Sequence, residues 1–303
     1  IYLWRSDSNY MKSNNVTNND EDGIGLYYSN NNSIAGNTLT DNLIGIDATT
    51  SYYNDINSNV VLRNILGIYL YYSQNSTVVM NKVTGRALAL AGICLTGATG
   101  NVISENMVSE NQFFIGAGIY LEWSSDDNTI TKNTLANNYY GLSIGWWGLY
   151  GLKDQNNNNT IYNNNLIGNT EQVLSLNSVN TWDDDYPSGG NYWSDYDGTD
   201  LYGGSYQNLP GSDGIGDTSY VIDSNNFDHY PLMKPWSPTP IALPGDINCD
   251  RTVNIYDLII WCNAYGSRPG YPNWNPLADL NEDGIIDIFD GVIIAINYGK
   301  TYP

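Results

Sequence analysis

The sequence predicts a mainly β chain: a right-handed parallel β-helix of about seven coils, an irregular acidic cap, and a small α-helical domain at the C-terminal end. Three observations carry this. An asparagine-phased repeat of about 22 residues fills the first half, 26 tyrosines suit half-exposed strand faces, and two acidic 12-residue loops recur near the end. The expected boundaries are 1–176 for the β-helix, 177–233 for the cap, 234–244 for a linker and 245–303 for the last domain.

The repeat reads Asn, any residue, aliphatic, two residues, Asn, any residue, aliphatic. Its second Asn falls at 14, 37, 59, 81, 106, 133 and 164, at intervals of 23, 22, 22, 25, 27 and 31 residues, so insertions grow toward the far end. Within a strand, alternate side chains share a face, and coils stacked at about 4.8 Å bury a continuous aliphatic column. A period near 22 fits right-handed coils better than the roughly 18 of the hexapeptide-built type. Asn at the corners tolerates the left-handed conformation and bonds neighbouring backbone, so stacked Asn can form a ladder of side-chain amides. The second strand of each coil is expected to open on glycine at a bend, at Gly25, Gly45, Gly67, Gly92, Gly118 and Gly141.

These repeats, with the stretches NTWDDDYPSGGNYWSDYDGTD, DGIGD and HYPLMKP inside residues 180–235, resemble the NosD-type, or carbohydrate-binding and sugar-hydrolase, β-helices. The resemblance covers most of residues 1–235 and implies secretion by an archaeon or a bacterium. Some members of that family are copper-associated periplasmic proteins. Copper asks for clustered His, Cys or Met, and one His, 3 Cys and 4 Met make copper unexpected here.

Thirty-two acids against 11 bases give a formal charge of -21. Such a surface repels phosphate backbones and anionic membranes, which excludes nucleic-acid binding. No apolar run reaches the 18 residues of a membrane span. In the cap, Asp195, Asp197, Asp200, Asp213 and Asp217 stand among glycines with alternate oxygens of the kind calcium takes. A solvated, turn-rich cap accounts for them equally well.

Beyond the Pro-spaced linker KPWSPTPIALP, Asp246, Asn248, Asp250, Thr252, Asn254 and Asp257 occupy positions 1, 3, 5, 7, 9 and 12 of a calcium loop. Asp279, Asn281, Asp283, Ile285, Asp287 and Asp290 repeat the pattern 33 residues on, and each loop leads into an apolar helix expected to stop at Gly266 or Gly299. Two Ca2+ sites are expected. Position 6 is Gly284 in the second loop but Arg251 in the first, where a positive φ costs about 1–2 kcal/mol and weakens the site. Asp at position 12, with one loop and one helix per repeat, resembles a type I dockerin. That resemblance implies partner contacts through the residues just before position 12, here Ile255, Tyr256, Ile288 and Phe289, and a cohesin-like partner.

No catalytic residue is assigned. Glu105, Glu110, Glu122, Asp126 and Asp127 are the only concentration of acids in the coils, with no period that stacks them. His229 reads as a structural hydrogen-bonding residue, and Trp146, Trp147, Trp182 and Trp193 read either as sugar-stacking platforms or as cap packing. Three Cys cannot all pair, and the sequons at Asn15, Asn31, Asn75 and Asn158 are what an Asn-rich chain gives by chance. Without a Met start or a signal peptide, and with Ile1–Trp4 already strand-like, the chain is expected to be a processed product with an open solenoid end. The leading expectation is an extracellular or cell-surface structural protein, calcium-stabilised, docking through its tail to identical subunits head-to-tail or to a cohesin-like protein. The alternative is a carbohydrate-active or carbohydrate-binding β-helix, a partner of polysaccharide, tethered by its tail to a cohesin-bearing scaffold.

Overall fold

The computed structural model describes residues 1–145, 155–237, 244–247, 252–271, 273–281 and 283–300. Two compact units divide the chain, Ile1–Trp236 and Ser237–Pro303. The expectations at Trp146, Trp147, Asn248, Asp250 and Arg251 lie outside the described residues.

The first unit is a right-handed parallel solenoid of about eight turns. Its three parallel sheets, A, B and C, run the length of the stack. Sheet A has eight strands of mostly five or six residues, from Tyr2–Trp4 to Glu171–Ser175; sheets B and C are built from strands of two or three residues. Sequence periodicity sets the register. Ile24, Ile46, Ile68, Ile93 and Ile119 stack in sheet A, Ile34, Ile56, Val78, Ile103 and Ile130 in sheet B, and Leu39, Val61, Val83, Val108 and Leu135 in sheet C. All are buried in one continuous core.

Between the sheets the chain turns sharply, and each turn needs a buried polar group to close it. The expected Asn ladder is there. The backbone N–H of Asn37 donates to Asn59 Oδ1 (2.9 Å), the Asn59 N–H to Asn81 Oδ1 (2.9 Å), and so on through Asn106, Asn133, Asn164 and Asn191. A second ladder runs from Asn9 to Asn180, with Ser76 in place of one Asn. The left-handed residue is the one before each ladder Asn, for instance Ser13, Ser58, Met80, Glu105 and Lys132, because the Asn itself must aim its amide along the stack.

Two further columns escaped the sequence reading. Asn19, Asn42 and Asn64 form a third ladder, resumed by Asn111, Asn138 and Asn169. It breaks where residues 85–90 bulge from their coil, and the Asn111 Oδ1 just past the break is buried without a hydrogen-bond partner. A fourth column is mostly serine: Ser6, Ser29, Ser51, Ser73, then Ser125, Asn156 and Ser178.

The stacked glycines also differ from expectation. They occupy the second strand position, Gly23 rather than Gly25 in the first case, followed by Gly45, Gly67, Gly92, Gly118 and Gly141. A Cβ on Gly45 would lie 2.5 Å from the Gly67 carbonyl oxygen and 2.6 Å from Val61 Cγ1, so close stacking admits no side chain there.

Residues 177–193 continue the stack without the aliphatic signature, using Thr181 against Thr160 and Tyr192–Trp193 beside Asn165–Leu166. Trp182 and Trp193 fill the core end and are fully buried, which removes them as sugar platforms. Their indole N–H groups donate to Asn226 Oδ1 (3.0 Å) and Asp228 Oδ2 (2.8 Å), and Trp193 stacks on Tyr220. His229 pairs through Nδ1 with Asp183 at 3.0 Å.

The second unit holds helix α1 (Ile255–Ala264) and helix α2 (Ile288–Asn297), each opened by a capping box, Asn254 with Asp257 and Asp287 with Asp290. Ile247, Val253, Ala264, Ala278, Ile286 and Ile294 form its core.

Truncating one rung tests the ladder. In Asn106→Ala, the buried Asn81 N–H and Nδ2 lose their acceptor, and the Val78 carbonyl loses its donor. Each orphaned buried group costs about 1–3 kcal/mol, so denaturant unfolding should show a loss of about 3 kcal/mol, against under about 0.5 for an exposed turn residue such as Ser58→Ala.

Candidate functional site

Alternate residues of a strand face outward, and on sheet A the strands are long enough to present two outward columns. One runs Asp47, Tyr69, Cys94, Tyr120, Ser143; the other runs Tyr27, Thr49, Tyr71, Thr96, Glu122. Sequence reasoning noticed Glu122 but not Asp22 or Asp47, since only the strand register brings them together.

Two polar clusters result. In the first, the Tyr27 hydroxyl lies between Asp22 and Asp47, within hydrogen-bonding reach of both carboxylates, while Thr49 Oγ1 donates to Asp47 Oδ1 at 2.8 Å. Burial pushes the Asp47 carboxyl up to about 6 despite the Thr49 hydroxyl, and burial beside the two acids pushes Tyr27 up as well. In the second, Thr96 Oγ1 donates to Glu122 Oε1 at 2.9 Å and the Tyr120 hydroxyl to Oε2 at 3.1 Å. Cys94 lies buried beside Thr96, its thiol pushed up by desolvation and held far from thiolate reactivity.

A cleft of about 580 Å³ opens over the second cluster. Its floor is Tyr120, Glu122, Tyr140 and Ser143; Leu90, Phe114 and Ile115 wall one side and Trp123 the other. These walls come from the lengthened intervals of the repeat: residues 85–90 and 112–116 are the extra chain that stretches the period to 25 and 27. The growing spacing was therefore the sequence signal for the site.

The acids noticed in the sequence do not gather. Glu105, Glu110 and Asp127 are left-handed turn residues at separate corners, and Asp126 accepts the Asn157 N–H at 2.6 Å. Asp47 and Glu122 stand on strands three apart, about 14 Å at the usual strand spacing, beyond the roughly 6.5–9.5 Å of an inverting carboxylate pair. Glu122 is the one carboxylate among the described residues lining the cleft.

In the cap, Asp200 accepts from Ser212 Oγ and from the Asp213 and Gly214 N–H groups, Asp217 from the Leu201 and Tyr202 N–H groups, and Asp213 from the Gly204 and Ile215 N–H groups. Asp195 takes the Tyr220 hydroxyl. The structure brings Asp200 and Asp213 into one loop fastening, and no trio of acid, His or Cys side chains gathers as a metal group among the described residues. In the tail, Asp257 and Asp290 are buried and span their loops. Asp257 accepts from Ile247 and Asn254 N–H, and Asp290 from Leu280 and Asp287 N–H, each between 2.7 and 2.8 Å. Asp279 accepts from Asp283 and Gly284 N–H, with Gly284 at φ +82. Ile255, Tyr256, Ile288 and Phe289 are exposed on the helix starts, joined by Ile259, Val292 and Ile296, which the sequence reading passed over.

Residues 1–198 match the family described as "Periplasmic copper-binding protein (NosD)". Among solved structures, a double mutant of the periplasmic alginate epimerase AlgG is similar at 23% identity and a TM-score of 0.44, over 53% of this chain and 36% of that one. An alginate lyase from Paenibacillus sp. str. FPU-7 is similar at 14% identity and a TM-score of 0.32, over 56% of this chain and 74% of that one. The chain thus spans about a third of the epimerase. No curated protein matches it.

The buried Asp47 gives a test of the face. A carboxyl raised in the folded chain holds its proton more tightly there than when unfolded, so its contribution to stability grows as pH falls through 6 toward 4 and is absent above. At about 1.36 kcal/mol per pH unit the span is of order 3 kcal/mol. Asp47→Asn should therefore narrow the difference in thermal midpoint between pH 4.5 and pH 8, read by circular dichroism.

Proposed function

Since the chain belongs to the NosD family, we propose that it is a carbohydrate-binding β-helix working outside the cytoplasm, with the outer face of sheet A as its binding surface. The periplasmic description of the family supports the location. The observation that carries the reading is the cleft over Glu122, where a hydroxyl-rich floor lies between exposed apolar walls. Sugars present both kinds of surface, with hydroxyls for Glu122, Tyr120 and Ser143 and C–H faces for Phe114 and Trp123.

The family's copper is not carried to this chain. His229 is bound to Asp183, Cys94 is buried beside Thr96, Met11 is buried in the core, and Met80 and Met107 stand exposed on adjacent coils. His229 and Cys94 are thus engaged elsewhere, and copper needs such donors clustered.

Affinity electrophoresis against a panel of neutral and acidic polysaccharides tests the binding. At least one neutral polymer should retard the full chain, and Glu122→Gln with Tyr120→Phe should weaken retardation about tenfold, the loss of one to two hydrogen bonds to ligand. No retardation by any polymer overturns the reading. Incubation with the same panel should release no new reducing or unsaturated ends, consistent with Glu122 being the one carboxylate among the described residues that line the cleft.

A second reading concerns the tail: that calcium closes its loops while the exposed helix starts dock a cohesin-like partner. The repeated fastening by Asp257 and Asp290 and the exposure of Ile255, Tyr256, Ile288 and Phe289 support it. Hard oxygens are what Asp279, Asn281, Asp283, Asp287, Asp290 and the Ile285 carbonyl offer, a set that fits calcium, which would neutralise their mutual repulsion. Calorimetry of the full chain should show the tail transition falling when a chelator is added, and Asp283→Ala should lower it in calcium. A transition indifferent to both overturns the calcium reading.

A further inference from the structure

The corner that follows each sheet A strand carries one residue per coil in the left-handed conformation: Arg5, Tyr28, Thr50, Tyr72, Gly97 and Trp123. Glycine, as at 97, meets that conformation without strain, whereas a bulky side chain is disfavoured in it. Aromatic residues nonetheless occupy it on every second coil, and their rings are exposed: Tyr28 is 49%, Tyr72 44% and Trp123 52% accessible. Large exposed side chains held in an unfavourable backbone conformation bring the fold nothing that Gly, Asn or Ser would not, which points to a use.

The alternation has a steric cause. A Cβ on Gly97 would sit 2.6 Å from the Tyr72 ring, so that ring lies across the next coil and requires a small residue beneath it. Tyr71 supports it edge-on at 4.6 Å, and Trp4 meets Tyr28 edge-on at 5.4 Å. Two coils advance about 9.6 Å along the solenoid, giving three platforms in a straight row at that interval. Tyr53, also left-handed and exposed, stands at another corner among Asn31, Asn75 and Asp127, with no aromatic two coils away.

We propose that Tyr28, Tyr72 and Trp123 form a platform row for an uncharged β-1,4-linked glycan lying along the solenoid axis. This rests on the carbohydrate-binding reading above and names its substrate class. In an extended β-1,4 chain each sugar is turned over relative to the last, so the same face returns every second sugar, close to the two-coil interval. An α-1,4 chain coils away from a straight row. Charge selects further: Asp22, Asp47 and Glu122 stand on strands of the same sheet that lead into the row and Arg5 is the row's only cation, so a polyuronate meets repulsion along its length. Ring faces take the C–H faces of sugars without needing charge.

Pull-down of the full chain on insoluble cellulose and β-mannan, beside starch granules and calcium-alginate beads, tests this. Retention is expected on the first two. Tyr72→Ala should lower affinity about tenfold, and Tyr28→Ala with Tyr72→Ala should abolish retention. Tyr53→Ala should change nothing. Tyr72→Gly relieves the backbone and should raise the thermal midpoint while losing retention, which separates lost binding from lost folding. Full retention of the double variant overturns the platform row and leaves the carbohydrate reading standing, as does preference for starch or alginate. Failure to bind any polymer overturns both.

Discussion

The amide ladder is the interaction on which the solenoid depends. A coil of about 22 residues has four sharp turns, and each turns backbone N–H groups inward where water cannot reach them. One side chain per turn must accept from the coil before and donate to the coil after. Asn does both: Asn106 Oδ1 takes the Asn81 N–H and Nδ2, while its own Nδ2 reaches the Val78 carbonyl and Asn133 Oδ1. The backbone N–H to Oδ1 bonds all run one way, each donated to the next coil toward the C-terminal end, so each ladder needs a final acceptor. The cap supplies them: Asn226 takes the Asn180 N–H, and the buried Asp228 takes Asn191 at 2.7 Å. Burial holds the Asp228 carboxyl up at about 7 even with the Asn191, Trp193 and Tyr230 N–H groups donating to it. The irregular cap is therefore the chemical terminus of the ladders as well as a cover for the core.

Once inward positions are committed to aliphatics, Asn and Gly, only outward positions and insertions remain for function. Sheet A has the longest strands and hence the broadest outward face, and the insertions at residues 85–90 and 112–116 rise beside it. The same insertion breaks the third ladder and strands Asn111 Oδ1, so the cleft wall costs the core a satisfied polar group. The exposed aromatics follow the same logic, occupying corners whose conformation the stacking imposes whatever residue stands there.

The core was legible because it repeats: the phased Asn and aliphatic residues give the register of sheets B and C directly from spacing. What the sequence hid are features that share a column without sharing a residue type. Ser6, Ser29 and Ser51 do the work of Asn at a turn of their own, and the third ladder is interrupted. Asp22 and Asp47 are 25 residues apart and meet only through Tyr27, a contact set by strand register and side-chain reach together. Trp182 and Trp193 replace aliphatics at the core end, and so broke the pattern used to find the coils.

The acidic composition now has a structural source. At exposed corners a turn needs only an acceptor, and there Asp and Asn serve alike: Asp7 takes the Asn30 N–H, Asn30 takes Tyr52, Asp126 takes Asn157, and Asn157 takes Val179. In the buried ladders the same side chain must also donate, which a carboxylate cannot do, and among their interior rungs Asp does not appear. Asp enters only at ends that need no onward donor, as at Asp228, and in loops fastened by several N–H groups, as at Asp200, Asp217, Asp257 and Asp290. Much of the charge of -21 is thus backbone fastening at the surface. On the carbohydrate-binding proposal, the same acidic surface would repel anionic polymers and leave uncharged ones free to approach sheet A.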